Sequence, residues 1–147
     1  MTPFIRLTRI PYEEPYHLQL QVEASNERER GELEIYCNAD DLGAFAEQLQ
    51  GFPRSRDAVA LWELGSERAE DRFAFYYRLR AYQLSPSGAC GLEVRFCNNL
   101  SPPLRAVVEF SIEVLPAGLD RFAHLLREFG RLQHTTLDWN PREGELR

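Results

Sequence analysis

The residues with chemical potential in this 147-residue chain are three histidines, three cysteines, two acid pairs and one row of tyrosines and arginines. His17, His124 and His134 could ligate a metal or move protons, but none has another His, a Cys or a carboxylate at ligand spacing. His124 flanks the apolar stripe of a helix-like segment; His17 and His134 fall in strand-like runs and read as surface residues. Cys37, Cys90 and Cys97 are odd in number and form no C-x-x-C. Cys37 and Cys97 sit inside strand-like runs, where a free thiol behaves as a small apolar group, so reduced, structural cysteines are expected. Asp40-Asp41 could do acid–base work, but it lies where a helix begins, and helix N-termini favour acids. Glu13-Glu14, in a turn bracketed by Pro11 and Pro15, has no partner group. Neither a Gly-x-Ser-x-Gly elbow nor a phosphate-cradling glycine loop occurs. The sequence thus points to no enzyme, no metal and no cofactor.

The stretch FAFYYRLRAYQL, residues 73–84, is the most informative for binding. In an extended chain Tyr76, Arg78, Arg80 and Tyr82 share one face, opposite Phe73, Phe75, Tyr77, Leu79 and Ala81. Such a row can stack bases or clamp anions. It is equally the pattern of a solvated strand with cross-strand Arg–Glu pairs. Neighbouring strand-like runs offer outward acids: Glu93, Glu109 and Glu113, with Glu32 and Glu34 as further candidates. The candidate partner-binding face is therefore Tyr76, Arg78, Arg80, Tyr82, Glu93, Glu109 and Glu113. Its acidic excess suits a protein partner better than nucleic acid.

Composition agrees. The formal net charge is −6 and the sequence pI about 5.1, a poor balance for a nucleic-acid binder and a better one for meeting a basic protein. Every basic residue is Arg and none is Lys, a codon skew expected of a high-GC bacterial genome. The N-terminus lacks the apolar core of a signal peptide, and no run approaches the ~18 apolar residues of a membrane span. A cytoplasmic protein with no membrane association is expected.

Alternation of apolar and polar residues marks strands at HLQLQVE, ELEIYC, AVALWEL, the 73–84 stretch, GLEVRFC, 105–115 and LQHTTLDW, with a short one at 4–10. Helical spacing marks Leu42, Phe45, Ala46, Leu49 and Phe52, and again Leu119, Phe122, Ala123, Leu126 and Phe129. Asn38 reads as the first N-cap and Pro116 as the opening residue of the second helix. The order β-β-β-α-β-β-β-β-α-β predicts an α+β fold, mostly antiparallel sheet with two amphipathic helices packed on one face. A single domain over 1–139 and a polar, frayed tail over 140–147 are expected. Residues 35–52 and 112–129 are identical at Ile35/Ile112, Leu42/Leu119, Phe45/Phe122, Ala46/Ala123, Leu49/Leu126 and Phe52/Phe129. HLQLQV sets beside GLEVRF if three residues are inserted. An internal β-β-α-β duplication explains this, and so do two amphipathic helices that each select Leu, Phe and Ala.

These passages, "DLxxFxxxL" at Asp41, Leu42, Phe45 and Leu49, and "LDxFxxxL" at Leu119, Asp120, Phe122 and Leu126, resemble those of small bacterial proteins of the WapI-type immunity kind. The likeness spans roughly residues 16–130 and carries no functional residue across. It implies a toxin-neutralising protein encoded beside its toxin. The expectation is a non-enzymatic protein that binds a toxin domain through an acidic surface. The alternative is a ligand-binding or homo-oligomeric scaffold using the Tyr/Arg face, since free edge strands can pair with another chain.

Overall fold

The computed structural model describes residues 2–11 and 14–147. Of the turn expected at Tyr12–Pro15 and the Glu13-Glu14 pair, Tyr12 and Glu13 lie outside the described residues; Glu14 pairs with Arg9 at 2.6 Å. The described chain runs β1 (Phe4–Arg9), β2 (Leu18–Ser25), β3 (Arg30–Cys37), α1 (Ala39–Leu49), β4 (Val59–Gly65), β5 (Tyr76–Gln83), β6 (Cys90–Cys97), β7 (Val107–Val114), α2 (Pro116–Phe129), β8 (Thr136–Trp139) and β9 (Gly144–Leu146), with a single 3₁₀ turn at Ala69–Asp71. The fold is α+β and mostly antiparallel sheet, as the periodicity predicts. No described helix is long and apolar enough to cross a membrane.

Two sheets form where a single one was expected. The first has the order β3-β2-β1-β8-β9 and the second β4-β5-β6-β7, antiparallel throughout. Most strands alternate inward apolar and outward polar residues: Leu18, Leu20, Val22 and Ala24 of β2 are fully buried, as are Leu92 and Val94 of β6, whereas β4 also turns Val59 and Leu61 outward. The sheets approach at β3 and β6–β7, where Gly31 has no side chain to collide with Val108; a Cβ there would sit 2.9 Å from it. The helices pack on each other, α1 also against β4 and α2 against β8 and β9. Both helices therefore serve one core shared by two sheets.

Local chemistry explains the helix ends. The Asn38 backbone N–H donates to the Asp41 carboxylate at 2.9 Å, and Asp41 N–H to the Asn38 carbonyl at 3.0 Å, satisfying donors that the first turn leaves open. Gly51, at φ +71°, takes the left-handed conformation that ends the α1 region. Pro116 starts α2 and Gly130 N–H closes it on the Leu126 carbonyl at 2.9 Å.

A relay of rings crosses the core from sheet to sheet. Trp139 stacks on Phe122 (4.9 Å between centroids), Phe122 meets Phe45 edge-on (6.3 Å), Phe45 meets Trp62 (5.8 Å), Trp62 meets Tyr77 (4.8 Å) and Tyr77 stacks on Phe96 (5.7 Å). Phe45 and Phe122, two of the repeated residues, form its middle link. Each such pair adds about 0.5–1.5 kcal/mol beyond the area its rings bury.

The topology resolves the repeat. Reading β1-β2-β3-α1-β4 onto β5-β6-β7-α2-β8 maps the first sheet's order β3-β2-β1-β8 onto the second's β7-β6-β5-β4. Each helix carries its chain across the core, so each half's last strand completes the other half's sheet. Leu18 opposes Cys37 in one hairpin and Cys90 opposes Val114 in the other. With Cys37 and Val114 equivalent, as the helices require, Leu18 corresponds to Cys90 and Leu20 to Leu92. The insertion is then five residues, in the 98–106 turn, rather than three. The same registers pair Phe4-Ile5-Arg6-Leu7 with Tyr76-Tyr77-Arg78-Leu79.

Three further boundaries differ from expectation. The long strand begins at Tyr76, leaving Phe73–Phe75 outside it, because Gly65 at φ +77° approaches the Phe75 carbonyl and turns the chain there. The last long run yields only Thr136–Trp139; Leu132, at φ +61°, interrupts it. The 140–147 segment is not a frayed tail: Gly144–Leu146 forms β9 on β8.

Candidate partner-binding surface

All seven residues of the expected face lie on the second sheet's outer side. Tyr76, Arg78, Arg80 and Tyr82 come from β5, Glu93 from β6, and Glu109 and Glu113 from β7. Register explains the grouping: Arg80 opposes Glu93, and Arg95 opposes both Arg78 and Glu109. Two facing guanidiniums need acids around them, and the structure supplies them. Arg78 Nε lies 2.7 Å from Glu93 Oε1, an ion pair whose N–H does not point along the contact. Arg78 Nη2 donates to Glu109 at 3.0 Å and Nη1 to the Tyr76 hydroxyl at 3.2 Å. Tyr76 donates in turn to Glu63 at 2.5 Å. Arg80 donates to the other Glu93 oxygen at 3.0 Å and lies over the Tyr82 ring. Arg95 binds Glu67 through two bonds, 2.6 and 2.8 Å, and reaches Glu109 at 3.2 Å.

Tyr82 is placed by a glycine. Gly91, its cross-strand partner, lets the ring lie flat across β6; a Cβ there would sit 2.4 Å from the ring. The Tyr82 and Ser111 hydroxyls then meet at 2.8 Å.

The electrostatics follow. The Arg95 bonds hold the Glu67 carboxyl below the usual carboxylate value, against partial burial. Burial pushes Glu93 up, but Arg80 and Arg78 together outweigh it and leave it lowered. Burial, with the acceptor Glu63, raises the Tyr76 phenol. The face is thus a ladder of interlocked charges. A ligand anion would have to displace carboxylates from Arg78, Arg80 or Arg95 before these could clamp it.

The first sheet repeats the device. Arg6, the counterpart of Arg78, pairs with Asp138 at 2.5 Å and Glu23 at 3.5 Å, and lies over the Phe4 ring as Arg78 lies over Tyr76. Arg30 also reaches Glu23, and Arg147 reaches Asp138. A network recurring on both faces is what a structural role requires. Sequence reading missed Arg95, Glu67 and the Arg6 cluster, although the FIRL/YYRL echo was the available signal.

Charge is not compensated everywhere. Among the described residues, Glu32, Glu34 and Glu113 have no Arg partner; Glu32 and Glu34 accept only from Gln21, Gln19 and the Tyr36 hydroxyl. These acids lie on β3 and β7, the edge strands that meet where the sheets approach. Asn26 Nδ2 reaches the Ser111 carbonyl there at 3.4 Å.

The remaining polar groups are scattered. His17 and His124 are exposed and His134 half-buried; no group of three His, Cys, Asp or Glu able to hold a metal occurs among the described residues. All three cysteines are free and buried, and burial together with Asp41 pushes the Cys37 thiol up to about 12. A surface cleft of about 620 Å³ lies between residues 53–57 and 83–86. Its Arg54 is occupied with the Glu47 and Gln50 carbonyls at the end of α1. No protein-family model, characterised protein or solved structure matches this chain at a significant level.

Proposed function

We propose that this is a non-enzymatic, immunity-like protein that acts in the cytoplasm by binding and neutralising a basic toxin domain through its acidic surface. One observation carries the reading. Arg78, Arg80 and Arg95 are already matched by carboxylates, whereas Glu32, Glu34 and Glu113 on the meeting edges have no cationic partner. Uncompensated acid on rigid strands attracts a basic surface, speeds encounter and costs little reorganisation on docking. The net charge of −6 and the resemblance of the two strand–helix passages to WapI-type immunity proteins support the same reading. The ladder ties β5, β6 and β7 together through Arg78, Arg95 and Glu109, with Glu113 also on β7. The Tyr/Arg ligand face draws less support, because its guanidiniums are engaged.

Co-expression with the product of the neighbouring gene tests this. That product should arrest growth alone and be silenced by this chain. A neighbour that is harmless, or whose toxicity the chain leaves unchanged, would overturn the proposal.

A further inference from the structure

Besides the longer 98–106 turn, the two halves differ at the outer edge of their last strand. In the first sheet that edge of β8 carries β9. The Arg147 backbone donates to the Thr136 carbonyl at 2.9 Å and accepts from Thr136 N–H at 3.0 Å. Thr8 opposes Thr136 and Arg80 opposes Leu61, so Leu61 of β4 is the counterpart of Thr136. Leu61 is also bonded twice, but by a side chain. Gln48 Nε2 donates to the Leu61 carbonyl at 3.0 Å, and Leu61 N–H donates to Gln48 Oε1 at 2.8 Å. One carboxamide imitates one peptide unit of a strand. No described strand pairs with this edge, and Val59 and Glu63, whose backbone groups point the same way by alternation, have no backbone partner there among the described residues.

The adjoining helix surfaces match as well. On α2, Gly118, Arg121 and Leu125 seat the 140–144 segment: Arg121 Nη1 donates to the Pro141 carbonyl at 3.3 Å, and Leu125 lies against Gly144. Their counterparts on α1 are Asp41, Ala44 and Gln48, and Ala44 and Gln48 are exposed. On the outer face of the same edge, opposite the buried Ala60 and Trp62, Val59 and Leu61 expose 52% and 37% of their surface, so this unpaired edge is also apolar.

We infer that the β4 edge, with the groove beside α1, is a strand-addition site for an extended segment of a partner polypeptide that displaces Gln48 and runs antiparallel to β4. The β8–β9 pair sets the register: Leu137 opposes Leu146 and Asp138 opposes Glu145. Transposed to β4, the residue in the Leu146 position faces Trp62 and should be aliphatic. The residue in the Glu145 position faces Glu63 and should be basic, and further basic residues N-terminal to it approach Asp40 and Asp41. Main-chain bonds supply affinity and the alternate side chains supply specificity. This edge lies on the opposite side of the second sheet from β7 and stands independently of the acidic β3/β7 surface.

The probe is a fluorescently labelled peptide of residues 140–147 carrying Glu145→Arg, titrated against the intact protein by anisotropy. Saturable binding is expected. Gln48→Ala, which removes the competing amide, should tighten it about tenfold. Leu61→Pro removes an outward N–H without touching the β5 ladder and should abolish binding, with the fold checked by circular dichroism. A second peptide, N-methylated at the Arg147 amide, should fail on unaltered protein, whatever Leu61→Pro does to folding. Equal binding of the methylated peptide, or no change with Gln48→Ala, would overturn the inference. So would Gln48→Ala protein that dimerises and ignores the peptide, since the occupant would then be a second copy.

Discussion

Replacing Arg78 with Met removes the centre of the second sheet's ladder while keeping most of the side chain's apolar stem. The Arg78 side chain is 25% exposed and that of its main partner Glu93 only 15%, so the pair lies between a surface and a buried ion pair. Exposed pairs contribute about 0–1 kcal/mol, and breaking a buried one costs about 3–5 kcal/mol. An intermediate loss of about 2 kcal/mol is expected, because Glu93 keeps Arg80 while its buried Oε1 loses Arg78. For a chain of this length, an unfolding entropy of about 2.1 cal/mol/K per residue makes that a drop in Tm of roughly 6 °C. Urea unfolding is the assay, followed by the fluorescence of Trp62 and Trp139, which are 4% and 1% exposed. A double-mutant cycle with Glu93→Gln should give a coupling of about 1 kcal/mol. An Arg78→Met protein within about 0.5 kcal/mol of the parent would refute the structural reading and return the row to the status of a free ligand face.

Acid should act through the same ladder. Glu67 and Glu93 are held below the usual carboxylate value, so their stabilisation is complete above an unfolded pKa of about 4.3 and is lost as pH falls through the lowered folded values. Urea midpoints from pH 7 to pH 3 should hold and then decline, and Arg95→Met should shrink that decline by freeing Glu67. At the alkaline end, the buried Cys37 thiol keeps its proton to about 12, while an unfolded thiol loses it near 8.5. Stability should fall as pH rises from about 9 towards 12, and Cys37→Ala should flatten that slope. In the core, Phe45→Ala should cost about 3–5 kcal/mol in the same urea assay, because it removes the middle of the ring relay.

The helices were legible because Leu42, Phe45, Leu49 and their counterparts obey one period, and the strands because Leu18, Leu20 and Val22 alternate with polar residues. The split into two sheets was not. Alternation says that a strand has one buried face, not which neighbour shares it, and β4 and β8 exchange sheets through contacts far apart in sequence. β9 was invisible for a related reason. NPREGELR has no alternation to read; Gly144 matters because Leu125 and the Asp138 carbonyl leave no room for a Cβ there. The Tyr76–Tyr82 row lies on the sheet's outer side, with Tyr76 itself buried. Its Arg–Glu matching depends on register, and Glu67 comes from a loop whose path no periodicity fixes. Gln48 has the sequence signature of any exposed helix residue, because its bonds to Leu61 depend on how α1 lies beside β4.

The most direct test of the acidic-surface account is the affinity for the co-expressed toxin domain, measured by calorimetry, of a variant carrying Glu32→Arg, Glu34→Arg and Glu113→Arg. None of the three acids has an Arg partner to lose, so the fold should survive, as checked by its urea midpoint. The account predicts a loss of affinity of about 100-fold or more, roughly 2.7 kcal/mol, and of growth rescue with it. A folded triple variant that binds and rescues as the parent does would contradict it.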